Sequence, residues 1–357
     1  MTTVVLADLH LGGRMTALHT PPVLERLLGE LEGADQVVLL GDVLSLRDGP
    51  LADVLAASRA FFEGLGEAVG DGRIVVVPGN HDHRLAEPLL ERRPLGLGTQ
   101  ALAAEHEARA GDPGPLGTLA RWTGGAELVV SYPGLWIRPD VYATHGHYLD
   151  CHTTVPRPEC VAARAMTALV GLPEGPLVPG HYEAVLAPLY AFAYSIAQSS
   201  PDGSGDSAAA RIARRVRSLA WNRLGASSGD GGVVARLAGG AAVAGGAAAL
   251  RAAGLGPFGS DLTPGEFGRA GAEAMAEVVA RLEIDAAHVV FGHTHHAGPL
   301  EPAGGRLVNP GSWVYQPLLI GEAGPRDPYW PGRYALVGPD GPPRLRSVLA
   351  DPALVTA

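Results

Sequence analysis

Asp8 and His10, Asp42, the run Asn80-His81-Asp82-His83, the pair His145 and His147, and the trio His293, His295 and His296 are side chains whose spacing suggests chemistry. Each group directly follows a short apolar or β-branched run, at residues 3–7, 36–40, 73–78, 141–144 and 288–291. Amide, imidazole and carboxylate groups placed straight after a core strand are costly to bury unless they meet a metal ion or a charged substrate. Alternate positions on an extended segment share a face, so Asp8 and His10 can address one ion. Eight of the 13 histidines lie in these five stretches. A donor set of oxygen and imidazole with no thiolate suits manganese, iron or zinc, with nickel or cobalt accepted in vitro.

The elements that must position these groups alternate. Strands are expected at residues 3–7, 36–40, 74–77, 141–144 and 288–291, with helices from the Thr20-Pro21-Pro22 start and over 52–69. Polar residues at successive strand C-termini argue an α/β sandwich with its site along the strand ends. Residues 128–131 and 135–138 read as a hairpin about Pro133-Gly134, and residues 334–337 and 345–349 as a closing hairpin. Residues 84–123 read as helix and loop.

The five blocks, Asp8-x-His10, Gly41-Asp42, Gly79-Asn80-His81-Asp82, His145-Gly146-His147 and Gly292-His293-x-His295, resemble the signature of the calcineurin-like metallophosphoesterase superfamily, in the same order, over residues 3–147 and 287–312. The resemblance implies a four-layer α/β/β/α sandwich with a dinuclear centre. It implies that Asp8, His10, Asp42 and His295 hold one metal, and Asp42, Asn80, His145 and His293 the other, with Asp42 bridging. Two divalent transition-metal ions, manganese or iron first, would acidify a shared water for in-line attack on phosphorus. His81 would then stabilise charge and protonate the leaving alkoxide, with Asp82 fixing its tautomer. His147, His83 and His296 would support the ligands or face the substrate. The chain departs from the pattern in Val43-Leu44-Ser45, where many members carry a second acidic residue at the third position. The blocks Asp8-Leu9-His10-Leu11-Gly12 and Thr144-His145-Gly146-His147-Tyr148-Leu149-Asp150 are most similar to the branch that includes UDP-2,3-diacylglucosamine pyrophosphatases.

Composition bounds the reading. The chain has 357 residues and a formal net charge of −10, which argues against a general nucleic-acid-binding surface. All of its basic residues other than histidine are arginine. Cys151 and Cys160 lack the spacing of a zinc site and fit a reducing, cytoplasmic compartment; the apolar run at 4–6 is too short for a signal peptide. The organisation expected is a core at 1–152 and 271–357 interrupted by a helical insertion at 153–270. Within the insertion, helices are expected at 182–198, at 208–223 (with Arg211, Arg214 and Arg215 on one side) and from Thr263 to about residue 281, opened by the capping box Thr263-Pro264-Gly265-Glu266. Residues 201–206 read as a linker. The Ala/Gly-rich run between Arg236 and Arg251 holds 14 uncharged residues, short of the roughly 20 that span a bilayer. A helical cap that selects the substrate is the expectation, with peripheral contact at the inner face of a membrane as a further one.

The function expected is hydrolysis of a phosphomonoester, a phosphodiester or a nucleotide-type pyrophosphate on a small substrate. The alternatives are a lipid-linked pyrophosphatase at a membrane surface and a non-catalytic scaffold of the same fold. Such a scaffold usually loses motif residues, and here none is missing.

Overall fold

The structure, a computed structural model, describes residues 1–90, 103–111, 114–199, 245–300, 306–317, 319–320 and 323–354. They form two compact units, one of Met1–His147 with Ile284–Ala357 and the other of Tyr148–Glu283.

The first unit holds two sheets. Strands β1 (Thr3–Leu6), β2 (Gln36–Leu40), β3 (Arg73–Val77), β4 (Glu107–Arg109), β5 (Glu127–Ser131), β11 (Arg333–Val337) and β12 (Arg344–Ser347) make a seven-stranded sheet in the order β12-β11-β1-β2-β3-β5-β4. Strands β6 (Gly134–Arg138), β7 (Val141–Thr144), β8 (His288–Phe291), β9 (Gly298–Leu300) and β10 (Leu307–Asn309) make a five-stranded sheet in the order β6-β7-β8-β10-β9. β1, β2 and β3 run parallel, as do β7 and β8, so each set delivers its C-terminal ends to one edge.

Strands buried on both faces are largely apolar rather than alternating, and β1, β2 and β7 are buried at every residue, Thr3, Gln36 and Thr144 included. Val5, Ala7, Val38, Leu40, Val75, Val77 and Val129 of one sheet share a core cluster with Leu135, Val141, Ala143 and Val290 of the other, which makes the sheets the two inner layers of a sandwich. The alternate residues Val4, Leu6, Val37, Leu39, Ile74 and Val76 point the opposite way and are buried too. Helices α1 (Pro21–Leu31), α2 (Leu51–Val69) and α3 (Pro115–Trp122) pack in sequence, α1 on α2 and α2 on α3. α1 buries Val23, Leu27 and Leu31, one residue per turn on a single stripe. The α/β sandwich expected from the sequence is therefore the fold.

The expected hairpin at 128–138 is not formed. β5 pairs with β3 and β4, whereas β6 pairs with β7, so Tyr132-Pro133 carries the chain from one sheet to the other. Two consecutive buried apolar runs look alike to a local reading whether they pair with each other or with different sheets. The closing hairpin of β11 and β12 is formed.

In the second unit, α4 (Pro158–Val170) packs on α5 (Pro179–Gln198), residues 245–252 are helical, and α6 (Pro264–Arg281) follows. A small core joins Cys160, Ala247 and Phe258. Tyr148 and Tyr182 stack with ring centroids 4.6 Å apart, the Tyr148 hydroxyl donates to Glu183 at 2.6 Å, and His152 Nε2 meets the Tyr182 hydroxyl at 2.8 Å. The capping box is only half made. Thr263 Oγ1 accepts from the Glu266 N–H at 3.3 Å, but the Thr263 N–H goes to Asp261 and the Glu266 carboxylate to Arg269. A guanidinium one turn on is a stronger partner for that carboxylate than a neutral N–H. The expected linker at 201–206 and basic helix at 208–223 lie outside the described residues, as does most of the Ala/Gly-rich run. Among the described residues no helix is long and apolar enough to cross a membrane.

Candidate metal centre

Asp8 and His10 follow β1, Asp42 follows β2, Asn80 and His81 follow β3, His145 follows β7, and His293 and His295 follow β8. The loops that carry them are tied together by their backbones. Asp8 N–H donates to Gly41 O at 3.1 Å, His10 N–H to Asp42 O at 2.8 Å and Gly292 N–H to His145 O at 3.0 Å. Left-handed backbone is costly for residues with a Cβ. Among the described residues it occurs at six non-glycine positions, and five of them are Asp8, His10, Asp42, His293 and His295. Strain gathered on one cluster of polar side chains marks a place where geometry is held for function.

Three overlapping groups could each hold a metal ion: Asp8, His10 and His295; His10, Asp42 and His81; and Asp42, His145 and His293. Within each, the candidate ligand atoms lie within 4.8 Å of one another. His295 Nε2 stands 3.3 Å from Asp8 Oδ1, His10 Nε2 3.7 Å from Asp42 Oδ2, and His145 Nε2 3.5 Å from Asp42 Oδ1. Asp42 thus turns one oxygen to each side. Its Oδ1 also accepts from the His81 N–H at 2.7 Å. The Asp8 oxygens accept from the His293 N–H at 2.9 and 3.2 Å. Asn309 braces the last loop, with Nδ2 donating to Gly292 O at 2.9 Å and to Thr294 Oγ1 at 3.0 Å.

The surroundings of His10 Nε2 and of the Asn80 amide test whether this cluster fits a cation. His10 Nε2 is buried and makes no hydrogen bond while facing Asp42. Asn80 Oδ1 faces only acceptors, among them His145 Nε2 at 3.2 Å; with the amide turned over, its nitrogen would instead donate to His293 Nδ1 at 3.1 Å, Asp42 Oδ2 at 3.2 Å and His145 Nε2 at 3.2 Å. Oxygen and imidazole nitrogen atoms converging on one place are what a positive ion needs. The electrostatics agree. Burial alone would lower His145, yet the charge and hydrogen bond of Asp42 raise it to about 9. Burial pulls His10 down to about 3, with the neighbouring His81 adding to the effect. Asp42 stays well below the usual carboxylate range although its burial works the other way, because His145, His81 and His10 surround it. A field that draws a proton onto a buried imidazole draws a cation as readily. The donor set therefore fits two divalent ions, one toward Asp8, His10 and His295 and one toward Asn80, His145 and His293, with Asp42 facing both.

Residues 1–165 match the family model described as calcineurin-like phosphoesterase. The match supports the superfamily and takes in Asp8, His10, Asp42, Asn80, His81 and His145, while His293 and His295 come from beyond it. No curated protein matches the chain.

One expectation needs correcting, that of Asp82, and His147 takes one of the two roles expected for it. Asp82 does not hold His81. It is fully buried, its Oδ1 accepting from the Gly79 N–H at 2.7 Å and its Oδ2 from the Val43 and Leu44 N–H groups at 2.8 and 3.1 Å. It therefore ties the loop after β2 to the loop after β3. Burial, with Asp42 nearby, pushes its carboxyl up to about 6. The carboxylate beside His81 is Asp48, whose Oδ2 lies 3.6 Å from His81 Nδ1. His147 is 1% exposed, its Nε2 3.1 Å from the Tyr132 hydroxyl and its ring 5.5 Å from that of His145, so it packs behind a ligand rather than opening toward substrate. His83 stands edge-on to Tyr132, and His296 edge-on to Tyr329, both half-buried. Burial pulls His296 below its ordinary value.

Sequence reasoning missed Ser45, Arg47 and Asp48. Ser45 Oγ lies 3.4 Å from His10 Nδ1, and Arg47 Nη1 reaches the Asn80 amide at 2.8 Å when that amide is turned over. The signal available was the missing acidic residue at position 45, which should have prompted a search for a substitute further along the same loop.

Proposed function

We propose that the chain is a dinuclear metal-dependent phosphoester hydrolase. The observation that carries this reading is Asp42, a buried carboxylate with one oxygen toward His10 at 3.7 Å and the other toward His145 at 3.5 Å. Asp8, His10 and His295 would hold one ion, Asn80, His145 and His293 the other, and Asp42 both. When bound, two such ions neutralise phosphoryl oxygens and acidify water at neutral pH.

The chain's own residues supply the rest. His81, with 23% of its side chain exposed, is the most open of the histidines next to Asp42. It is raised above its ordinary value: burial opposes this, and the nearby carboxylates of Asp42 and Asp48 outweigh it. It is therefore placed to carry a proton to the leaving oxygen. The Arg47 guanidinium, beside Asn80, can donate to a phosphoryl oxygen. The substrate proposed is a small phosphorylated or nucleotide-type molecule, and similarity of the motif blocks favours the branch that includes UDP-2,3-diacylglucosamine pyrophosphatases. A cytoplasmic location with contact at a membrane surface is proposed from composition alone.

Elemental analysis after manganese loading, joined to a turnover screen with p-nitrophenyl phosphate, bis-p-nitrophenyl phosphate and nucleotide diphosphates, tests this. About two ions per chain and manganese-dependent release are expected. A stoichiometry that stays near one would sink the dinuclear reading.

A further inference from the structure

β11 runs antiparallel to β1, with Val337 opposite Thr3 and Ala335 opposite Val5. Arg333, at the start of β11, therefore comes at the end of β1 from which Asp8 leaves. Its half-buried guanidinium turns back on the segment before it. Nη1 donates to Asp327 O at 2.8 Å and to Pro328 O at 3.2 Å, and Nη2 to Pro325 O at 2.7 Å. That segment touches two ligand loops. Pro328 O also accepts from the Ala297 N–H at 2.9 Å, and Tyr329 meets His296 edge to face at 5.1 Å, just past His295 in the chain. On the other side the Gly332 N–H donates to Ser312 O at 3.0 Å, and the neighbouring Trp313 N–H donates to Asp8 O at 3.1 Å. Asp8 and His295 lie near opposite ends of the sequence, and both face the same ion site.

We propose that Arg333 is a positioning residue for the metal centre: by gathering residues 325–332 around its guanidinium, it holds the Asp8 and His295 loops at the spacing their shared ion needs. The proposal rests on the hydrolase reading above. Pro325 and Pro328 have no N–H and cannot close the segment on itself by donating. Their carbonyls need donors from elsewhere, and a guanidinium supplies five in one fixed plane, whereas an ammonium has no such fork. Asp327 completes the curve, its Oδ1 accepting from the Tyr329 N–H at 2.9 Å and its O from the Trp330 N–H at 3.0 Å. Trp330 Nε1 then donates to Leu349 O at 2.7 Å, anchoring the far side. The network so described contains neither Asn80 nor His145. Arg138 provides a comparison within the same unit. Its guanidinium also donates to two turn carbonyls, Gly338 O at 2.9 Å and Gly341 O at 2.7 Å. It pairs with Val141 at the start of β7, however, the end of that strand away from His145.

The test is calorimetric titration with manganese(II) alone of wild type, Arg333→Met, Arg333→Lys and Arg138→Met, with urea unfolding of each. Arg333→Met keeps the apolar stem and removes every donor, and should weaken one of the two manganese sites about 10-fold. Arg333→Lys keeps the charge without the fork and should weaken the same site to a smaller extent. Arg138→Met should unfold at lower urea but bind both ions as wild type does. Two backgrounds identify the site. In His145→Ala, which keeps Asp8, His10 and His295, adding Arg333→Met should lower the remaining affinity; in His295→Ala it should not. Equal losses in both backgrounds, or the same loss in Arg138→Met, would show general loosening and overturn the proposal. Should Arg333→Met fail to fold, Arg333→Lys in the same backgrounds carries the test, and a folded Arg333→Lys that binds like wild type would overturn it. Two-site uptake by wild type with unmoved Arg333 variants would overturn this proposal alone. Wild type that takes up no manganese would overturn the hydrolase reading and this one with it.

Discussion

Gly41 precedes the residue that faces both halves of the site, and replacing it with alanine is the sharpest probe of how closely the ligands are packed. Its φ is +79°, and a Cβ built there would fall within the ring of His145. That ring is fully buried and its Nδ1 is 3.2 Å from Leu40 O, so it has nowhere to retreat. Two costs add. Left-handed backbone costs an alanine about 1–2 kcal/mol, and forcing extra volume into a packed interior costs about 1–3 kcal/mol. Gly41→Ala should therefore destabilise the fold by about 2–5 kcal/mol. Gly33 is the internal control, with φ +72° and nothing within 4 Å of a Cβ. Gly33→Ala should show the backbone cost alone, about 1–2 kcal/mol. Urea unfolding gives both values, and the difference between them measures the contact with His145. Manganese titration should show Gly41→Ala losing the ion that His145 helps to hold, while Gly33→Ala keeps both. Equal losses of stability in the two variants, or two intact metal sites in Gly41→Ala, would refute the claim that Gly41 is selected by the ring against it.

Further outcomes follow from the same geometry. His81→Asn should keep both metals while lowering turnover about 10²–10⁴-fold; elemental analysis showing an emptied site would instead make His81 a ligand. Asp82→Ala strands the Gly79, Val43 and Leu44 N–H groups, which at about 1–3 kcal/mol for each buried group should cost at least about 3 kcal/mol in urea unfolding. A loss below about 1 kcal/mol would mean that Asp82 does not tie the two loops. In the second unit, burial pulls His152 down to about 4. A depressed histidine contributes stability above its unfolded value of about 6.5 and loses it as pH falls toward 4. Lowering pH from 7 to 5 should therefore cost wild type about 1–2 kcal/mol more than it costs His152→Gln, and matching pH profiles would rule this out.

What the sequence determined by itself was the list of elements and the residue types at their ends. β2, β7 and β8 begin and end where the runs read from the sequence do, because a strand buried on both faces is largely apolar, and the metal-binding type of group that follows it marks where the sheet stops. The same rule exposed Asp8, Asp42, Asn80, His145 and His293 as groups with no reason to follow a core strand other than chemistry. Local pattern could not say which strand pairs with which. β5 and β6 are neighbours in the chain and belong to different sheets, and the three-residue strands β4 and β9 are too short for any periodicity to show.

The supporting residues were decided only by tertiary structure. Asp82, next to His81 in the chain, turns to the Val43 and Leu44 N–H groups from a different strand end. Asp48, distant in sequence, takes the place beside His81. Adjacent residues on a turn point in different directions, so a neighbour in the chain has no privileged access to a side chain's ring nitrogen. Ligand types can be read from a sequence because an ion demands certain atoms. The groups that orient those ligands need only be some hydrogen-bonding atom at the right point in space, and that point exists only once the sheets have packed.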